Sequence, residues 1–215
     1  MRNPFSRLQR SLLRQKLRSA LLFGLLCLIS LPGKAGTLLV LGDSISAAYG
    51  LSLEQGWVSL LDDELQSSGK PVDVVNASIS GETTAGGLRR LPALLEEHQP
   101  SAVIIELGGN DGLRGYPIAK LRSNLRQMVA LAQDAGARVM LLPMEIPPNY
   151  GSRYTGMFRE SYPAVTKETD SVLGPFLLEA VATDPALMQG DGIHPTAEAQ
   201  PLLLDNVRAA IMELL

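Results

Sequence analysis

The sequence predicts an α/β fold, a parallel β-sheet with helices on both faces. Three observations carry that prediction. Short apolar runs that read as strands alternate with longer amphipathic runs that read as helices, in the order βαβαβαβα. The first run, TLLVL, is apolar after its leading threonine, as suits a strand covered on both faces. The 215 residues suit one domain plus a short appendage, and 46% apolar against 19% charged residues supply one sizeable core.

The elements follow in order. Residues 37–41 form the first predicted strand. In residues 57–66, Trp57, Leu60, Leu61 and Leu65 recur at helical spacing, and Gly69-Lys70-Pro71 stops the helix. Residues 72–75 are the second strand. Residues 84–97 place Leu88, Leu91, Leu94 and Leu95 on one helical face, with Pro92 as a kink or first-turn residue. Residues 102–107 (AVIIEL) are the third strand. Residues 117–135 are the longest amphipathic run, ended by Gly136. Residues 138–142 (RVMLL) are the fourth strand. Residues 154–169 read as a helix interrupted by Pro163, and residues 172–176 as a weak fifth strand. Residues 196–215 read as a closing helix with Thr196 at its N-cap.

The first 35 residues differ in kind. Arg2, Arg7, Arg10, Arg14, Lys16 and Arg18 come with no acid. ALLFGLLCLISL follows, then PGKA. Basic, apolar, then small is the layout of a secretory signal peptide cut after Ala35, leaving a domain of residues 36–215. The rival reading is an uncleaved anchor. Twelve helical residues rise only about 18 Å against a hydrocarbon core of roughly 30 Å. A lipoprotein role for Cys27 is disfavoured because Leu25 and Leu26 precede it where small residues belong. Cleavage leaves 12 cationic and 22 anionic side chains, a formal −10, and no cysteine. Such a surface repels phosphate backbones, so nucleic acid is not an expected partner. Thiol chemistry and disulfides are excluded from the mature chain.

In open α/β sheets ligands bind beyond the carboxyl ends of the strands. That rule sorts the loops. Ser44 follows the first strand, the segment from Asn76 to Gly81 the second, Gly108-Gly109-Asn110-Asp111 the third, and residues 144–151 the fourth. Ser44 is either a helix cap or a nucleophile. A serine hydroxyl attacks a carbonyl only with a base beside it and with donors aimed at the developing oxyanion. The chain has two histidines. His98 sits at the end of a predicted helix, where it complements the dipole or is solvated. His194 lies three residues after Asp191, close enough for the carboxylate to fix the ring; the alternative is a turn whose aspartate caps the next helix. Gly81 offers an unobstructed N–H, Asn110 a side-chain amide, and Ser44 its own N–H at the start of a following helix.

Other features are read against plainer explanations. Asp43, Asp111 and Asp191 lack the histidine cluster a metal site would bring, so Asp43 is read as orienting its loop. Asp62-Asp63 and Glu96-Glu97 read as solvated helix faces. The first turn lacks G-x-G-x-x-G, which disfavours dinucleotide binding, and Ser44 is not in G-x-S-x-G. Leu113-Arg114-Gly115-Tyr116-Pro117 is either a mobile flap over an acyl chain or an inert connection. Met144, Ile146, Pro147 and Pro148 either line an apolar groove or only pack their loop.

GDSIS, the glycine of ISGETT, GGND and DGIHP occur in that order. They resemble the four signature blocks of the SGNH, or GDSL, hydrolases. VVNASISGETT, ELGGNDGLRG, PPNYG and DGIHP followed by AQP narrow the resemblance to the periplasmic thioesterase, protease, lysophospholipase and arylesterase branch, over about residues 37–210. It implies a three-layer α/β/α fold of flavodoxin-like order with a five-stranded parallel sheet. It implies catalysis by Ser44, His194 and Asp191, and an oxyanion hole of Ser44, Gly81 and Asn110. Leu113, Arg114, Tyr116, Ile146 and Pro147 are the expected substrate contacts, with no metal and no cofactor. Two departures, Ala47-Ala48 where many relatives carry a glycine before the tyrosine and Glu82 where aspartate is common, are expected to touch only the pocket rim.

The expected function is a secreted, periplasmic serine esterase acting on acyl esters and thioesters. It is expected to work as a monomer on a single-chain lipid, meeting membrane only through its substrate. Two rivals are an O-acetyl esterase of cell-envelope carbohydrate, using the same residues in a more polar pocket, and a non-catalytic binding module on the same fold.

Overall fold

A computed structural model describes residues 36–69 and 72–215. The signal-peptide reading of residues 1–35, and Cys27 with it, lie outside the described residues. Five strands, β1 (Gly36–Gly42), β2 (Val72–Asn76), β3 (Ala102–Glu106), β4 (Arg138–Leu141) and β5 (Val172–Leu173), form one sheet of order β2-β1-β3-β4-β5. Every pairing is parallel. The sheet is the expected five-stranded, flavodoxin-like one.

The burial pattern explains the arrangement. All five residues of β3 are buried, and Leu38, Leu39, Val40 and Leu41 of β1 are inaccessible to solvent. These two strands form the centre, covered from both faces. α1 (Trp57–Ser67) buries Trp57, Val58, Leu61 and Leu65. α2 (Thr84–His98) starts at Thr83, whose side chain accepts the Gly86 N–H, and carries Pro92 on its exposed side. The short α3 (Gly109–Leu113) and the long α4 (Ile118–Asp134) follow β3. α4 buries Leu121, Leu125, Met128, Val129 and Ala132, one apolar stripe at helical spacing. Among the described residues, no helix is long and apolar enough to cross a membrane.

The structure corrects the predicted elements in five places. The run 154–169 breaks at Glu160 rather than Pro163, giving α5 (Ser152–Arg159) and α6 (Ser161–Thr169). Pro163 is the third residue of α6, in the first turn, where a missing N–H costs no intrahelical bond. The fifth strand is only two residues long and exposed. The closing helix, α7 (Gln200–Leu214), starts four residues after Thr196, with Pro201 in its first turn. Thr196 does not cap it; the Thr196 N–H donates to Leu187 O at 2.8 Å, closing the antiparallel bridge between Met188 and Pro195. Asn110 lies on α3 rather than in a loop. Residues 44–50 are successive turns, and the first regular α-helix begins at Trp57, so no α-helix starts directly behind Ser44.

Candidate active site

The chain runs from β1 outward to β2, then returns to the other side of β1 to form β3. The connections therefore diverge between β1 and β3, the switch point where doubly wound sheets open a crevice. Gly42 and Glu106 are register partners there, the last residues of their strands. Ser44 lies two residues beyond β1, and Asn110 four beyond β3.

Ser44 is nearly buried, and its Oγ is 2.8 Å from His194 Nε2. His194 Nδ1 is 2.7 Å from Asp191 Oδ2. The other carboxylate oxygen, Asp191 Oδ1, accepts the backbone N–H groups of Ile193 at 2.9 Å and His194 at 3.0 Å. The hydrogen bond to the His194 ring comes first, and these two backbone bonds next, in holding the Asp191 carboxyl down at about 2. An ionised carboxylate only accepts, so His194 Nδ1 carries the proton and Nε2 is left to accept from Ser44. A three-residue spacing builds this because Gly192, at φ +66°, lets the chain turn back on itself. The turn that the sequence left open as a helix cap instead pairs Asp191 with the ring.

A second layer of polar groups lies beneath Ser44. Asp43 Oδ2 accepts the side-chain amide of Asn110 at 3.2 Å, and Asp43 Oδ1 accepts the Ile45 N–H at 3.1 Å. Glu106 is wholly buried; its Oε2 accepts the Ser46 hydroxyl at 2.7 Å and the Asp43 N–H at 3.3 Å. Trp57 Nε1 donates to Ser46 Oγ at 3.2 Å. Burial pushes the Asp43 carboxyl up to about 6, and burial first, then the charge of Asp43, pushes Glu106 well above the usual carboxylate range. Asp43 thus shapes its own loop through the Ile45 N–H and also reaches across to Asn110. Asp111 is engaged elsewhere: its carboxylate accepts the Thr84 N–H at 2.8 Å and the Thr84 hydroxyl at 2.6 Å.

Asn110 owes its place to Gly108. That residue sits at φ +123°, and a Cβ there would collide with the Tyr162 hydroxyl, which donates to Leu107 O at 3.0 Å. Gly81 sits at φ +78°, with nothing nearer to its missing Cβ than Arg114 Nη2 at 3.9 Å. Among the described residues, the backbone N–H groups of Ser44 and Gly81 donate to no protein acceptor.

A family model for the GDSL-like lipase/acylhydrolase family matches residues 40–201, which contain every one of these groups. The chain belongs to that family. It is a serine hydrolase acting on acyl bonds. An esterase, TesA, from Pseudomonas aeruginosa is 53% identical over 201 residues, covering 93% of this chain and all of that protein. An arylesterase of Vibrio mimicus is 46% identical, covering 92% of this chain and 98% of its own. The thioesterase 1/protease 1/lysophospholipase L1 of Escherichia coli K12 is 49% identical, covering 80% of this chain and 81% of its own. A crystal structure of TesA superposes with a TM-score of 0.81 at 55% identity, over 83% of this chain and 99% of that one.

Of the five expected substrate contacts of this GDSL hydrolase, Leu113, Arg114 and Tyr116 follow β3, and Ile146 and Pro147 follow β4. Arg114 Nη2 donates to Gly81 O at 3.2 Å, joining the loop after β3 to the loop after β2. Leu113 O accepts the Tyr150 hydroxyl at 2.8 Å, and Tyr116 O accepts the Tyr154 hydroxyl at 2.7 Å. The segment from Leu113 to Tyr116 is thus tethered at both ends to the elements after β4. Ile146 is half-buried, its Cγ2 close against Gly112, whereas Pro147 and Tyr116 are exposed.

The two departures from the family pattern do not act at the rim alone. Ala48 is buried at φ +55°, a conformation glycine takes without strain. Glu82 accepts from Arg90 Nε at 2.8 Å, and Arg90 Nη2 donates to Ala77 O at 2.8 Å, so Glu82 braces the loop that carries Gly81. Glu106, Ser46 and Tyr49 were missed by sequence reasoning. For Glu106 a signal existed, since one acid inside the apolar run AVIIEL has to be buried.

Proposed function

We propose that this hydrolase is an exported esterase and thioesterase of single-chain lipids that works through Ser44, His194 and Asp191. The observation that carries the reading is the unbroken line of hydrogen bonds from Ser44 Oγ to His194 Nε2 and from His194 Nδ1 to Asp191 Oδ2. Ser44 Oγ bonds to the acyl carbon as its proton passes to His194 Nε2. The carbonyl π pair moves onto oxygen, which the N–H groups of Ser44 and Gly81 and the Asn110 amide receive. Collapse breaks the bond to the alcohol or thiol, which takes the proton from His194. Water then attacks the acyl-enzyme with His194 as base, releasing the acid and restoring Ser44. No metal or cofactor enters these steps.

The substrate class draws on location and on the tethered segment. With residues 1–35 as a cleaved signal, the domain of residues 36–215 works in the periplasm or outside the cell, away from cytoplasmic coenzyme A esters. Lysophospholipids and other single-chain esters are present there. Leu113, Arg114, Tyr116, Ile146 and Pro147 form the acyl side of the pocket. The names of the relatives, an esterase, an arylesterase and a thioesterase/lysophospholipase, agree with broad acyl specificity. The enzyme acts as a monomer, and its acidic mature surface gives nucleic acid no foothold. A panel of acyl lengths and head groups tests this: lysophospholipid and medium-chain esters are turned over faster than acetyl esters, and the reverse order would favour an O-acetyl esterase.

A further inference from the structure

The triad's base is carried by a surface hairpin. Asp191, Gly192 and Ile193 are exposed, and the nucleophile is some 150 residues away in the chain. Something has to keep this hairpin in register with the turns after β1. Backbone bonds shape the hairpin itself: the Gln189 N–H donates to His194 O at 2.7 Å, and the Gly192 N–H donates to Gln189 O at 2.9 Å. They do not reach Ser44.

The side chain of Gln189 does. Its Nε2 donates to Pro195 O at 2.9 Å, directly after the base, and to Tyr49 O at 2.8 Å, across 140 residues. Both hydrogens of one amide nitrogen are thus divided between the base hairpin and the nucleophile turns. Tyr49 completes the link, because its N–H donates to Ser44 O at 3.0 Å. Its ring lies against the His194 ring, centroids 4.3 Å apart and planes at 35°. The fit is close: Gly50, at φ +78°, leaves no room for a Cβ beside Gln189 Oε1. The circuit runs from Ser44 O through Tyr49 and Gln189 to the His194 backbone, and returns through His194 Nε2 to Ser44 Oγ.

We infer that Gln189 and Tyr49 are positioning residues for the base, Gln189 setting the spacing of the hairpin to the nucleophile turns and Tyr49 supporting the ring of His194. The inference rests on the triad proposed above. Tyr49 presents an aromatic face to a ring that becomes a cation whenever Ser44 gives up its proton. A face so placed favours the imidazolium. Tyr49 is half exposed, so water can satisfy its carbonyl if the amide is lost, and the fold survives.

The test uses the mature enzyme and a p-nitrophenyl butyrate assay. Gln189→Met, of similar length and without donors, is expected to lower kcat by about 10- to 100-fold with KM within about twofold, since misplacement of about 1 Å costs that much. Tyr49→Leu is expected to move the acidic limb of the kcat/KM profile down by about 0.5 pH unit, the size of an exposed aromatic–cation contact. Tyr49→Phe, which keeps the ring, is expected to restore the limb. Wild-type kcat in Gln189→Met, or a Tyr49→Leu variant that changes KM while leaving the limb in place, overturns the inference. Ser44→Ala assayed alongside separates the two readings. Activity in that variant removes the triad itself. An inactive Ser44→Ala beside a wild-type Gln189→Met removes only the positioning role.

Discussion

Asp43 holds Asn110 by its side-chain amide, Nδ2 to Oδ2 at 3.2 Å. An amide nitrogen has two hydrogens. With one given to a carboxylate, Nδ2 rather than Oδ1 is fixed on the side of Asp43, and the second hydrogen remains for the oxyanion of the proposed mechanism. Asp43→Asn removes the preference for either face of the Asn110 amide. It is expected to lower kcat by about 10- to 100-fold with little change in KM. Asn110→Ala, which removes the donor, is expected to cost about 10²- to 10³-fold. Steady-state kinetics on one p-nitrophenyl ester compares the two. A milder loss in Asn110→Ala than in Asp43→Asn would contradict the ordering.

The same aspartate makes folding depend on pH. Its carboxyl titrates near 6 in the folded chain, raised by burial above its ordinary 3.8. Between these values the folded state holds more protons than the unfolded state. The contribution of Asp43 to stability therefore falls as pH rises from about 4 through about 6. Glu106, also raised by burial, acts in the same sense. Asp191 acts in the opposite one: its contribution is present above about 4 and is lost as pH falls through about 2. Urea denaturation of Asp43→Asn between pH 4 and 7 is expected to show a flatter decline than the wild type. Identical pH dependence would contradict the assignment.

Two glycines separate folding from function. In Gly108→Ala the new Cβ meets the Tyr162 hydroxyl at a φ of +123° that side chains avoid. Its melting temperature is expected to fall by clearly more than 5 °C. Gly81→Ala meets only Arg114 Nη2, at ordinary contact distance, and bears the left-handed strain alone, about 1 kcal/mol, or roughly 2–4 °C at this size. Its activity is expected to fall far more than its stability, because the methyl group crowds the substrate side of the proposed oxyanion donor. Calorimetry with parallel assays distinguishes the two patterns.

Tyr150 and Tyr154 tether the segment over the expected acyl side. Each hydroxyl bond is worth about 1 kcal/mol. The double variant Tyr150→Phe, Tyr154→Phe is expected to raise KM for octanoyl esters several-fold and to leave acetyl esters unchanged. An equal effect on both would mean that the segment does not contact the acyl chain.

How much of this was legible in the sequence depends on distance along the chain. The central strands were legible because TLLVL and AVIIEL are apolar runs that only a doubly covered sheet accommodates. Asp191 and His194 were legible as a pair because three residues separate them. Pro163 misled, since proline is tolerated in a first turn and the break lay at Glu160. Pro201 marked the start of α7 better than Thr196 did. The link from Gln189 to Tyr49 left no trace. A polar side chain in a loop has no periodicity, and its partner is a main-chain carbonyl that any residue would offer. The tie of Asp43 to Asn110 is of the same kind, two loops brought together only when β1 and β3 pair.

Covalent labelling tests the central claim most directly. A fluorophosphonate incubated with the purified enzyme, followed by peptide mass spectrometry, is expected to modify Ser44 alone, with labelling abolished in Ser44→Ala and slowed strongly in His194→Ala. A label on another serine, or a Ser44→Ala variant that still hydrolyses p-nitrophenyl butyrate at the wild-type rate, would contradict the account.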